Sequence, residues 1–291
     1  MRISGDQRSQ NLEDRRGERR SGLGGRGVGF GALIFAAIMA FFFNADFRTM
    51  LGLGTAAGRA IEQVQGPQQA DPAQPIADPA EEPMMLFVSG VLDSAQVYWR
   101  AALPAAFGAQ YRDTRLVVFR DLNESACGRA QAAMGPFYCP LDEKVYIDFS
   151  FYDELDRRFG APGDFAQAYV LAHEIGHHVQ TILGISEQVQ RIQQTQPRRA
   201  NEASVRMELQ ADCFAGAWGH WAAQRNLLEA GDVEEGLRAA AAIGDDNIQR
   251  QSTGRVAPES WTHGSSEQRL AWFRRGLDSG DPKACDTFNA R

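Results

Sequence analysis

The chain has 291 residues, a formal net charge of −7 and four cysteines. That length accommodates one sizeable domain with a tail. The acidic balance argues against a general nucleic-acid binder, and no internal repeat is evident.

Residues 1–26 are polar, with seven arginines against four acids, and carry too little apolar content to fold alone. Residues 27–45 follow, uncharged from Val28 through Phe43 and about the length that crosses a bilayer as a helix. A cleavable signal peptide is the main rival. The anchor is favoured because the basic region before it is long and no A-x-A site follows Phe43. The positive-inside rule then puts the basic tail in the cytoplasm and everything beyond the span in the periplasm or outside, as a single-pass membrane protein. Residues 46–83 are rich in Gly, Pro, Ala and Gln and read as an extended spacer, so the folded domain is expected over 84–291.

Within the domain, 84–103 has helical apolar spacing and Pro104 is expected to end it. The run 113–120 reads as a buried strand and 144–149 alternates as a second. An oxidising compartment permits disulfides. Cys127 and Cys139 are close in sequence and flank a Gly/Pro loop, which pairs them and leaves Cys213 with Cys285, one of three possible connectivities.

The chemistry starts at His173-Glu174-Ile175-Gly176-His177, an H-E-x-x-H pattern. On a helix over 165–183, stopped by Gly184, the two histidines are i and i+4 and project from one face. Two nitrogens can then grip one Zn²⁺, with Glu174 beside it as general base. A catalytic zinc needs a third protein ligand and an open position. Glu208 fits best: on a helix over 201–225 it shares a face with Asp212, which can hold the second nitrogen of a ligating histidine. Glu187 and Glu202 lack such a partner one turn later. The rival pattern with a third histidine fails, because Gln180 and Leu183 stand where Gly and His are required. His178 and His220 point off the ligand faces and are expected to be structural. A helix over 233–249 follows. His263 precedes a last helix that Ser265 or Ser266 caps. It either stabilises an oxyanion or only fastens its loop.

The residues 11–17, Cys127-Gly128, 135–140, 145–148, 173–180, 208–216 and 262–269 together resemble the bacterial neutral zinc metallopeptidase family, a membrane-anchored group related to the gluzincins. The resemblance implies an α+β, zincin-like domain, mostly helical with a small sheet. It also implies that 145–148 is either an edge strand that takes up extended peptide by β-addition or an ordinary core strand. The reading from the residues and the resemblance converge on a membrane-anchored zinc endopeptidase acting on peptide or unfolded protein. Its expected site has His173, His177 and Glu208 on the metal, Glu174 and His263 catalytic, and Asp212 behind the ligands. The alternative is a zinc-stabilised binding or chaperone-like module of the cell envelope without turnover.

Overall fold

A computed structural model of the chain describes residues 1–3, 7–17, 78–120, 122–131 and 135–289. The expected membrane helix at 27–45 and all of the spacer up to residue 77 lie outside the described residues. Among those described, no helix is long and apolar enough to cross a membrane.

The alternating apolar residues of two strands set the layers. Strand β1 (Leu12–Asp14) runs parallel to β2 (Arg115–Phe119), which runs parallel to β6 (Lys144–Asp148), which pairs antiparallel with β5 (Phe137–Cys139). The sheet order is β1-β2-β6-β5. Leu116, Val118, Val145 and Ile147 face the main core, while Val117, Phe119 and Tyr146 face a smaller one with Cys139, Cys127 and Phe137. Both faces of β2 are therefore covered, which is why it reads as a continuous apolar run. The hairpin of β3 (Leu122–Ser125) and β4 (Gly128–Gln131) is tied to β5 by the Cys127–Cys139 disulfide.

Helix α1 (Glu82–Phe107) and α2 (Ser150–Arg157) flank the sheet sequence. Behind the sheet stands α3 (Asp164–Ile182), then α4 (Ile185–Thr195), α5 (Ala200–Gln224), α6 (Asp232–Ala242), α7 (Asp245–Thr253) and α8 (Ser266–Ser279). Helix α3 is buried on nearly every face, packed against α1, α5 and α6. The Cys213–Cys285 disulfide holds the C-terminal segment to α5, so both expected pairings form. The molecule is α+β, mostly helical with a small four-stranded sheet.

Three expectations are corrected, and one open alternative is decided. Helix α1 runs through Pro104 to Phe107: only the last turn loses a hydrogen bond, and Gly108 closes the helix by donating to the Pro104 carbonyl. Strand β6 is interior, between β2 and β5, so 145–148 cannot be an edge strand. The single helix expected over 233–249 is two, broken at Ile243-Gly244. A side chain on Gly244 would lie 2.3 Å from the Ser266 backbone nitrogen, so the chain there passes too close to α8 for any other residue. Finally, residues 1–3 and 7–17 are not a separate tail. They form β1 and its flanks on the domain, and their arginines pair with it: Arg2 with Glu229, Arg8 with Glu82, Arg16 with Glu81. Three of the arginines counted toward a cytoplasmic tail are thus paired with acids of the domain.

Candidate metal centre

Helices α3 and α5 approach closely because small residues meet between them. A methyl group on Gly176 would lie 3.1 Å from the Cα of Ala211. Gly176 sits inside the H-E-x-x-H turn and Ala211 inside the Glu208–Asp212 turn, so this close approach sets the two ligand faces against each other. The Nε2 atom of His173 lies 3.2 Å from one Glu208 oxygen, and Nε2 of His177 lies 3.4 Å from the other. Around a zinc bound at about 2.0–2.1 Å, tetrahedral donors stand ~3.3 Å apart. One ligand atom from each of His173, His177 and Glu208 lies within 4.8 Å of the other two, so this largely buried group could hold a metal ion.

The electrostatics favour a cation there. Burial works against the charged Glu208 carboxylate, yet His177 and His173 hold it well below the usual range. Burial likewise opposes charge on His173, but Asp212 and Glu208 outweigh it and raise the imidazole to about 10. His177 is raised for the same reason, by Glu208 and by the adjacent charge of Glu174. Glu174 is buried beside it, 8 % exposed.

Asp212 is fully buried and accepts from His173 Nδ1 at 2.7 Å, which turns Nε2 of that ring toward Glu208. It also accepts from the Tyr169 hydroxyl at 2.6 Å and from Arg269 Nε and Nη2 at 2.8 and 2.9 Å. Burial would raise this carboxyl, but Arg269 and His173 keep it below its ordinary range. Arg269 also donates to the Ile243 carbonyl, left open where α6 ends. Sequence reasoning missed both partners. Tyr169 had a signal, lying one turn before His173 on the same face. Arg269 had only its place in the 262–269 stretch of the family resemblance, because no helical spacing links α8 to α5.

His263 lies on a loop gathered by one side chain. Asp245 accepts from the backbone N–H groups of Thr262, His263 and Gly264 at 2.8, 2.7 and 3.0 Å, and from His263 Nδ1 at 3.1 Å. The His263 side chain is 24 % exposed. Burial opposes its cation, while Asp245 and Glu208 raise its pKa. Asp245 was hidden in the sequence by the reading of 233–249 as one helix. The other two histidines are structural, as expected. His178 donates to the Arg112 carbonyl and accepts from Tyr138, and His220 donates to the Leu277 carbonyl.

Comparison with known proteins gives the family. The family model described as "Putative neutral zinc metallopeptidase" matches residues 1–288. The chain belongs to this family. Among similar proteins, the uncharacterized protein YpfJ of Escherichia coli strain K12 is 46 % identical over 296 residues, covering 99 % of both chains. The uncharacterized proteins Mb2605 of Mycobacterium bovis and Rv2575 of Mycobacterium tuberculosis are each 42 % identical over 209 residues, 68 % of both chains. No solved structure matches.

Proposed function

We propose that the protein is a zinc-dependent endopeptidase whose metal ligands are His173, His177 and Glu208. The observation that carries this is the pair of 3.2 and 3.4 Å nitrogen–oxygen spacings, built by two facing helical turns beside a buried Glu174. Three protein donors leave a fourth position for reacting groups, the mark of a catalytic rather than a structural zinc. A zinc ion there supplies Lewis acidity to the scissile carbonyl oxygen and to the attacking water.

The chain's own residues do the rest. Glu174 takes the proton of the attacking water and delivers it to the leaving amine. His263, held by Asp245, donates to the developing oxyanion. Asp212 keeps the His173 ring in register. The substrate is an extended peptide or unfolded protein. With β6 enclosed, its backbone pairs with β5, which ends the described sheet and whose Tyr138 touches the metal helix through His178. The apolar stretch 27–45 is the support for membrane attachment. The two disulfides favour an oxidising compartment for the domain, in the periplasm or outside the cell.

The test is a paired assay on the full chain, wild type and Glu174→Gln, for bound zinc and for cleavage of casein. Zinc is expected in both, with cleavage lower in the variant by roughly 10²–10⁴-fold. Zinc in both with no cleavage by wild type would favour the zinc-stabilised binding module. Folded wild type that takes up no zinc would overturn the reading.

A further inference from the structure

We propose that Gln180 and Gln210 are positioning residues that fix which nitrogen of His177 faces the metal, and that two backbone carbonyls set the direction of this relay. The inference rests on the zinc site proposed above and concerns the second histidine, whose support is unlike that of the first.

His173 is held by a charged group, Asp212. His177 is held by a neutral one: its Nδ1 lies 2.8 Å from Oε1 of Gln180, one turn further along α3. A side-chain amide has a donor end and an acceptor end, so its orientation decides whether the imidazole nitrogen opposite must give or receive a proton. The surroundings of Gln180 leave one orientation. Its Nε2 lies 2.7 Å from the Met207 carbonyl, which can only accept, and 3.0 Å from Oε1 of Gln210. Reversing the amide would press oxygen against that carbonyl.

Gln210 is fixed in the same way. Its Nε2 donates to the Cys285 carbonyl at 3.0 Å, which turns its Oε1 toward Gln180. Every step then follows from the two carbonyls. Gln210 presents oxygen to Gln180, Gln180 presents oxygen to His177, and His177 must carry its proton on Nδ1. Nε2 is then the nitrogen left for a metal, on the side of Glu208.

The far end of the relay is anchored too. The Cys213–Cys285 disulfide holds Cys285 against α5, and two further bonds clamp the same segment. The Thr287 hydroxyl donates to the Arg206 carbonyl at 2.6 Å, and Arg206 donates to the Phe288 carbonyl at 2.7 Å. Gln180 and Gln210 are both buried, so water does not compete for these bonds.

The experiment measures zinc affinity of the full chain by chelator competition for wild type, Gln180→Met, Gln210→Met and the double variant. It is joined by ¹⁵N-histidine spectra of the zinc-loaded wild type. Five histidines in the chain make those spectra assignable. Gln180→Met is expected to weaken zinc about 10–100-fold, as for other partners of ligating histidines. Gln210→Met, which touches no ligand, is expected to weaken it by at least about twofold, and the double variant to be no weaker than Gln180→Met alone. The spectra are expected to show His177 coordinated through Nε2 with a proton on Nδ1.

Multiplying losses in the double variant, or an unchanged affinity in Gln210→Met, would overturn the relay. So would coordination of His177 through Nδ1, a result that needs no variant to fold. Wild type that binds no zinc would instead sink the peptidase reading on which the relay stands.

Discussion

Asp212 is a fully buried carboxylate with three different donors around it, and only one of them carries a permanent positive charge. Arg269 is itself 2 % exposed, so the two ions neutralise each other inside the core. Breaking such a pair leaves an uncompensated buried charge. Asp212→Asn is therefore expected to cost about 3–5 kcal/mol of stability in the metal-free protein, read by thermal unfolding. Zinc affinity should fall by roughly 10–100-fold, because His173 loses the acceptor that orients it. A variant that unfolds like wild type would show that Arg269 finds another anion. The residues at this scale divide by how local their signal is. His173, His177 and Tyr169 stand at successive intervals of four on one helix, and Glu208 and Asp212 do so on another. Helical periodicity exposes all five. Arg269 and Asp245 reach the site from separate helices, and no spacing rule connects them to it.

The helices that deliver these groups are held at distances only glycine permits. A methyl on Gly276 of α8 would fall 1.9 Å from the Cys213 carbonyl oxygen, and one on Gly216 of α5 would fall 2.1 Å from the Phe273 carbonyl oxygen. Backbone thus meets backbone between α5 and α8. Since α8 brings Arg269 to Asp212, the spacing of the helices sets that ion pair. Gly276→Ala cannot be absorbed by rotating a side chain, and a loss of about 3 kcal/mol or more is expected on thermal unfolding. Zinc affinity should drop with it, because Asp212 sits one residue from the point of contact. A stable Gly276→Ala protein with wild-type zinc affinity would show that α8 can slide without disturbing the site. Contacts of this kind explain what was hard to read in the sequence. Periodicity located α3, α5 and α8, because each has a long apolar pattern. It did not locate the break at Gly244, where the reason for a glycine is the backbone of Ser266 at the start of α8. It also could not tell that β6 lies inside the sheet, because the three residues of β5 that cover it are too few to read as a strand.

The whole molecule is closed by its first residues. Strand β1 adds to β2 in register, Leu12 with Leu116 through Asp14 with Val118. Glu13 in its middle accepts from Lys144 at 2.8 Å, Arg15 at 2.6 Å and Arg115 at 3.1 Å. Burial pushes the Glu13 carboxyl up, but these three cations prevail and bring it down to about 2 from 4.5. A depressed carboxyl stabilises the fold fully above its unfolded value and loses that contribution as pH falls through its folded one. The docking of β1 should therefore weaken between about pH 4.5 and 2. Glu13→Gln is expected to flatten the pH dependence of the unfolding temperature in that window, and an unchanged curve would mean that Glu13 does not set it. The same strand constrains how the chain meets a membrane. Arg16 and Glu81, which flank residues 18–77 in the sequence, are joined by a 2.6 Å ion pair. One crossing by residues 27–45 would set β1 and β2 on opposite sides of the bilayer, where they cannot pair. The pairing of β1 with β2 therefore predicts that β1 and residues 78–289 lie on one side. Single cysteines placed at the exposed positions Gln10 and Arg198 are expected to react alike with a membrane-impermeant thiol reagent in intact cells, both labelled or both protected. Labelling of one without the other would show that β1 reaches the domain in some molecules only, or never, and that the sheet is built without it.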